Sequence, residues 1–228
     1  MTDRWATFDC YGTLIDWEGG LRAAFASLWP DADADALLRQ YHTAEPRIQA
    51  DGDLPYREVL GRALAAVADA AGLQVPRGSE EALAESLPRW QPFGEVRSAL
   101  QEASDRGWKL AALSNTDPDL LAASIDAIGV DFELRITAAE AGSYKPASGH
   151  WERFFADSGA DRSRHVHVAA SLFHDIAPAA ELGLTAVWIN RLSETSELPR
   201  AAELRDLEGL ADVLDRLVPD LEAPSSSR

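Results

Sequence analysis

Phe8-Asp9-Cys10-Tyr11-Gly12-Thr13-Leu14-Ile15-Asp16 is the stretch on which the reading of this chain turns. A short apolar run (Trp5, Ala6, Phe8) ends in a carboxylate, and a tight turn through Gly12 follows. Open α/β sheets hold their ligands in the crevice at the carboxyl ends of the strands, which is where such a carboxylate would stand. Gly12 lets the chain turn sharply and leaves backbone N–H groups free to face an anion. Asp9 is therefore the first candidate nucleophile. The competing reading is an aspartate that only caps the next turn.

Working outward, the chain changes rhythm twice. From Glu18 to Trp90 it is Ala- and Leu-rich with helical spacing: Leu21, Phe25 and Leu28 before a stop at Trp29-Pro30, then Leu37, Leu38 and Tyr41 after N-cap candidates Asp31 to Asp35. Pro55 suits a first helical position, and Val59, Leu60, Ala63, Leu64 and Val67 give the next helix one apolar face ending at Gly72. Ser79 is read as the cap of a helix to Leu87. After Pro92, helices alternate with short strands: Trp108–Leu113, Leu134–Thr137, Val166–Ala169 and Ala186–Ile189, the last closing the series. Such alternation predicts a doubly wound parallel sheet, α/β in class and Rossmann-like. The division read from it is an α/β core of residues 1–15 and 92–228 with a helical cap of residues 16–91.

Composition narrows the function. The 228 residues hold 21 Lys plus Arg against 38 Asp plus Glu, a formal charge of −17. That surface repels nucleic acids and anionic membranes, so neither is expected as a partner. An anionic substrate would need local cations, which makes any Arg or Lys in a site informative. Cys10 is the single cysteine, so no disulfide framework exists. The N-terminus carries no apolar leader and no apolar run nears membrane-spanning length, which gives a cytoplasmic expectation.

Polar residues gather at three strand ends: Asp9 to Thr13, Ser114-Asn115-Thr116, and Ser171-Leu172-Phe173-His174-Asp175. Tyr144-Lys145-Pro146 lies between them. A carboxylate, a hydroxyl–amide pair, a lysine and a second carboxylate, in that order, resemble the four motifs of the haloacid dehalogenase superfamily over nearly the whole chain. The sequence is most similar to its L-2-haloacid dehalogenase branch. Phosphatases of the superfamily carry a second aspartate two residues after the nucleophile, as acid for the leaving alkoxide; here that position is Tyr11. Their last motif places a magnesium-binding aspartate where this chain has Ala170. A departing halide needs neither group. Leu37-Leu38-Arg39-Gln40 is similar in place to the segment whose arginine receives the halide, with Arg47 and Arg57 as other cap arginines that could do so.

The resemblance implies a hydrolase that displaces halide from a short 2-haloalkanoic acid through an aspartyl ester and needs no metal or other cofactor. Asp9 would attack C2, and Thr13 would bond its carboxylate. Backbone N–H groups of Cys10 and Tyr11, with Ser114, would hold the substrate carboxylate. Arg39 and Asn115 would receive the halide. Lys145 and Asp175 would keep Asp9 ionised and place the hydrolytic water, with Ser171 and His174 lining the substrate pocket. The branch pairs through its helices, which gives a homodimer as an expectation. Departures from its pattern are Trp151 for a tyrosine, Ala170 and Leu172 for hydrogen-bonding residues, and His174 for a tryptophan. A Mg²⁺-dependent phosphatase and a fold that binds without turnover remain the alternatives. His42, His150, His165 and His167 show no ligand spacing and are read as structural or surface residues, while Trp17 is placed in the core or on the pocket wall.

Overall fold

The computed structural model describes residues 3–50 and 54–220. β1 (Arg4–Phe8) is followed by four helices, α1 (Trp17–Leu28), α2 (Ala34–Ala50), α3 (Tyr56–Ala71) and α4 (Ala82–Ser86). Then come α5 (Val96–Asp105), β2 (Trp108–Ser114), α6 (Pro118–Ile128), β3 (Leu134–Thr137), α7 (Ala138–Ala141) and α8 (Gly149–Ser158). The chain continues through β4 (His165–Ala169), α9 (Ala177–Glu181), β5 (Ala186–Ile189), β6 (Ala202–Leu204) and α10 (Leu210–Leu217).

All pairings are parallel, in the order β3-β2-β1-β4-β5-β6. The order reverses at β1, so the crevice between the ends of β1 and β4 is the expected ligand position. Strand residues alternate between two apolar layers. Ala6, Phe8, Val166 and Val168 face a core shared with α1, α3, α5 and α10. Trp5, Ala169, Ile136 and Trp188 face the opposite layer with Trp151 and Phe154 of α8. The sheet does not close at Ile189: β6 extends it by three residues, pairing with β5, and α10 packs against α5. Ala202-Glu203-Leu204 is too short and too polar at its centre for a strand pattern to show.

The four helices between β1 and α5 leave and rejoin the sheet at adjacent points. Ile15 bridges Pro92, Asp16 N–H donates to the Gln91 carbonyl (2.9 Å) and Phe93 N–H to that of Leu14 (3.0 Å). α2 begins where Asp33 Oδ1 accepts the Asp35 and Ala36 N–H groups (3.0 and 3.1 Å), and it runs well past Tyr41, through Pro46. α4 is shorter than its sequence reading, and Ser79 lies in the turn before it. Pro55 stands just before α3 rather than inside it. The N-cap of α3 is supplied from the core instead: Asp117, after β2, accepts the Tyr56 and Arg57 N–H groups on its two oxygens, both at 2.9 Å. This satisfies two orphan donors and sets a carboxylate on the positive end of the helix. Asp117→Ala is expected to cost about 1–2 kcal/mol in urea unfolding, with Asp117→Asn retaining part of the stability.

Candidate active site

β1 carries Asp9 to the rim of the sheet, where its N–H continues the ladder to the Val168 carbonyl (3.1 Å). Gly12 then reverses the chain at φ +87°, a conformation that favours glycine. Its N–H is not held open for an anion, because it donates to the Ile15 carbonyl at 2.9 Å. The turn brings Thr13 back onto the nucleophile: Thr13 Oγ1 donates to Asp9 Oδ2 (2.7 Å) and accepts from Ala170 N–H (2.9 Å).

Lys145 lies beyond β3, before a cis Pro146, and is 1 % exposed. Its Nζ donates to Asp9 Oδ1 (2.8 Å), Asp175 Oδ1 (2.7 Å) and the Leu113 carbonyl (2.9 Å). An ammonium has three protons, and all three are engaged. Asn115 fixes the lysine from behind. Its Oδ1 accepts from Lys145 N–H (2.6 Å) and its Nδ2 donates to the Lys145 carbonyl (3.0 Å). The amide therefore positions the lysine, and because Nδ2 carries two protons and spends one on the Lys145 carbonyl, its second N–H is left for the cavity that Asn115 lines.

Asp175 sits in a π-helical turn, Leu172–Ile176, fully buried. Burial pushes its carboxyl up, but Lys145 and a hydrogen bond from His167 outweigh this and hold it below the usual carboxylate range. Burial raises the Asp9 carboxyl, with Lys145 pulling it down only in part. The two carboxylates share one cation, and Asp9 is the more basic and hence the better nucleophile.

Behind Asp175 lies a buried relay that the sequence reading treated as structural or surface histidines. His167 Nε2 meets Asp175 Oδ1 at 3.0 Å, and its Nδ1 meets Thr7 Oγ1 at 2.8 Å. Thr7 Oγ1 also meets His165 Nε2 at 2.8 Å. An ionised Asp175 only accepts, so His167 donates to it from Nε2, while Thr7 Oγ1 stands between the two rings with one proton to give. Burial pushes His165 down to about 3, which keeps that ring neutral. The register of β1 and β4 makes this line, since Thr7 pairs with His167 and Trp5 with His165.

The cavity above Asp9 has a volume of about 510 Å³. Tyr11, Ser114, Ser171, His174 and Trp17 line it together with Asp9, Lys145 and Asp175. Ser114 Oγ is buried with no hydrogen-bond partner among the described residues, which leaves it free for a ligand. Tyr11 turns its hydroxyl to Ser124 Oγ (2.9 Å). Cys10 is fully buried outside the cavity wall, and burial keeps its thiol protonated. Arg39 is a correction: it points to solvent, 69 % exposed, facing Asp33 at 4.0 Å. Leu37, Leu38 and Tyr41 set the phase of α2 and turn Arg39 outward. Arg47 is exposed and Arg57 pairs with Asp119, so neither joins the cavity. The pocket-facing stripe of α2 is His42, Glu45, Pro46 and Gln49. The arginine that does reach the cavity is Arg191, just after β5. It donates to the Thr13 carbonyl (2.8 Å) and Glu95 (2.6 Å) and lies over Phe93. The strand-end rule applied to Asn190-Arg191 would have found it.

A model of haloacid dehalogenase-like hydrolases matches residues 4–183. The chain belongs to the haloacid dehalogenase-like hydrolase family. Among curated members it is 30% identical over 190 residues to haloacetate dehalogenase H-2 of Moraxella sp. (strain B), covering 81% of this chain and 84% of that one. It is 28% identical over 195 residues to (S)-2-haloacid dehalogenase of Pseudomonas sp. (strain YL), covering 83% and 84%. The fold matches L-2-haloacid dehalogenase from Xanthobacter autotrophicus with chloropropionic acid covalently bound, at a TM-score of 0.81 and 19% identity over 93% of this chain and 98% of that one. No helix among the described residues is long and apolar enough to cross a membrane.

In this hydrolase, Thr7→Val strands two buried ring nitrogens and is expected to cost about 1–3 kcal/mol in unfolding, with Thr7→Ser restoring most of it. The acid limb of kcat/KM is expected to follow protonation of Asp9, with an apparent pKa above the 3.8 of an ordinary aspartate. A limb at or below that value would contradict the basicity assigned to Asp9.

Proposed function

We propose that the protein hydrolyses the carbon–halogen bond of a 2-halocarboxylate through an ester on Asp9. The observation that carries this reading is the carboxylate of Asp9, clamped by Lys145 and Thr13 against the cavity, with a tyrosine instead of an acid two residues on. Asp9 attacks C2 in line, an oxygen–carbon bond forms, and the carbon–halogen bond breaks with its electron pair leaving on the halide. Halide needs no proton, so Tyr11 costs this step nothing. Positioning supplies most of the acceleration.

Water then adds to the carboxyl carbon of the ester, and the bond from that carbon to the substrate oxygen breaks. The 2-hydroxy acid departs, and Asp9 keeps an oxygen from water. Asp175 is held too acidic to take the water's proton; its Oδ2, without a hydrogen-bond partner among the described residues, accepts a hydrogen bond instead. His174 lines the cavity beside it, and burial lowers its pKa, so the ring is neutral. Its Nδ1 lies 3.2 Å from Ser171 Oγ; with that N–H donated to the serine, Nε2 is the base, which takes the water's proton and returns it to the departing alkoxide oxygen.

A resident Mg²⁺ fits poorly. Octahedral coordination calls for several oxygen ligands. Ala170 and Tyr11 bring no carboxylate, and the Oδ1 atoms of Asp9 and Asp175 are already turned to Lys145. Among the described residues no group of three or more His, Cys, Asp or Glu side chains is placed to hold a metal.

Chloride and bromide release from a panel of 2-halo acids is the decisive assay, with Asp9→Asn expected inactive. A single turnover in ¹⁸O-water should leave one heavy oxygen in the Asp9 peptide; label found only in the product would mean direct attack by water and overturn the ester route. His174→Phe is expected to release halide once per active site and accumulate the ester.

A further inference from the structure

The cap wall of the cavity is built for a ligand that the reactive end does not need. Glu45 and Gln49 occupy one face of α2, 6 % and 8 % exposed, and both line the cavity above Asp9. Glu45 Oε1 accepts from Tyr56 Oη (3.1 Å) and Gln49 Nε2 (2.5 Å). No hydrogen bond among the described residues reaches Glu45 Oε2 or Gln49 Oε1, the two atoms left for the cavity. Burial lifts the Glu45 carboxyl to about 7. Because Oε1 already accepts two protons, the carboxyl proton belongs on Oε2, which becomes a donor. Gln49 Oε1 beside it is an acceptor. A donor and an acceptor side by side on a largely apolar wall complement the carbonyl and N–H of a carboxamide.

The volume agrees with a longer substrate. About 510 Å³ is several times what a two- or three-carbon acid fills. The geometry points to Glu45 and Gln49 as a subsite for a carboxamide on the far end of the 2-halo acid, opposite the carbon that Asp9 attacks. This rests on the dehalogenation reading for the reactive end only. Titratable groups packed around Glu45 are Tyr41 on its own helix, Tyr56 on α3 and Tyr144 before the cis proline, and burial keeps all three phenols neutral. His42 stands one turn back on α2, and Glu18, Asp9, Lys145, Asp175 and Arg191 line the rest of the cavity. The subsite therefore donates below about pH 7 and loses its donor above it, as Glu45 ionises.

The test compares 4-carbamoyl-2-chlorobutanoate with its apolar isostere 2-chloro-5-methylhexanoate, with the diacid and the terminal amine of matched length as further arms. KM for the amide is expected to be about tenfold lower than for the isostere at pH 6, the difference shrinking at pH 8.5. Glu45→Met and Gln49→Leu should each abolish the preference, while Glu45→Gln, which keeps a donor, should retain it at both pH values. Calorimetry of the unmodified protein with the halogen-free acids, 4-carbamoylbutanoate and 5-methylhexanoate, reads the same preference without chemistry. If no haloacid loses halide yet this preference is present and Glu45-dependent, the reaction assigned above falls and the subsite stands. Equal affinity for amide and isostere, a preference that survives Glu45→Met, or tighter binding of the amine or diacid would overturn it.

Discussion

The ammonium of Lys145 is the constraint on which the rest of the site depends. It is buried, its three protons reach two carboxylates and a strand carbonyl, and it balances only one of the two negative charges. An isolated ion at that depth would be prohibitive, and either carboxylate alone would take up a proton. Held together, the three groups divide labour by environment. Asp175, with Lys145 and His167 on one oxygen, is pinned as an anion, while Asp9 keeps the greater basicity. No proton of the lysine is left over for a substrate. Recognition of an anionic substrate therefore falls to other groups of the wall, among them the Ser114 hydroxyl and Arg191.

The sheet supplies the address and the helices supply the character. Asp9, Ser114, Asp175 and Arg191 arrive at or just beyond the ends of β1, β2, β4 and β5, and Lys145 joins them from the loop after α7, which is why residues scattered from Asp9 to Arg191 meet within one crevice. The opposite wall comes from α2 and α3, and its chemistry is carboxyl, amide and phenol rather than guanidinium. A halide leaving this site meets no cap arginine. Its stabilisation has to come from the core side, where Arg191 is already tied to the Thr13 carbonyl and Glu95.

Much of this was legible in the residues. Asp9, Thr13, Lys145 and Asp175 could be placed because strand-end polarity and turn chemistry are local signals, and local signals survive folding. The parallel sheet followed from the same alternation. Arg39 failed because a matching string is not a matching phase. Leu37, Leu38 and Tyr41 rotate α2 so that its next inward positions are Glu45 and Gln49, and polar residues at those apolar-phase positions were the signal passed over. The Thr7–His165–His167 line could not be read at all, since it depends on the register between β1 and β4, strands far apart in the chain. β6 was missed for want of length, not of pairing.

Asp117 joins these two halves mechanically. The helical insertion is attached covalently at neighbouring points, where Ile15 meets Pro92, and such an attachment by itself is a hinge. Asp117 grips the start of α3 from the loop after β2, and Tyr144, next to the site lysine, adds a hydrogen bond from its hydroxyl to the Leu54 carbonyl at 2.6 Å. A hinge with a clasp on its far side is a closed box. The volume above Asp9 is therefore fixed by three fastenings and not by the covalent attachment alone: the Ile15–Pro92 join, the grip of Asp117 and the Tyr144 hydroxyl together set how far the cap wall stands from the nucleophile.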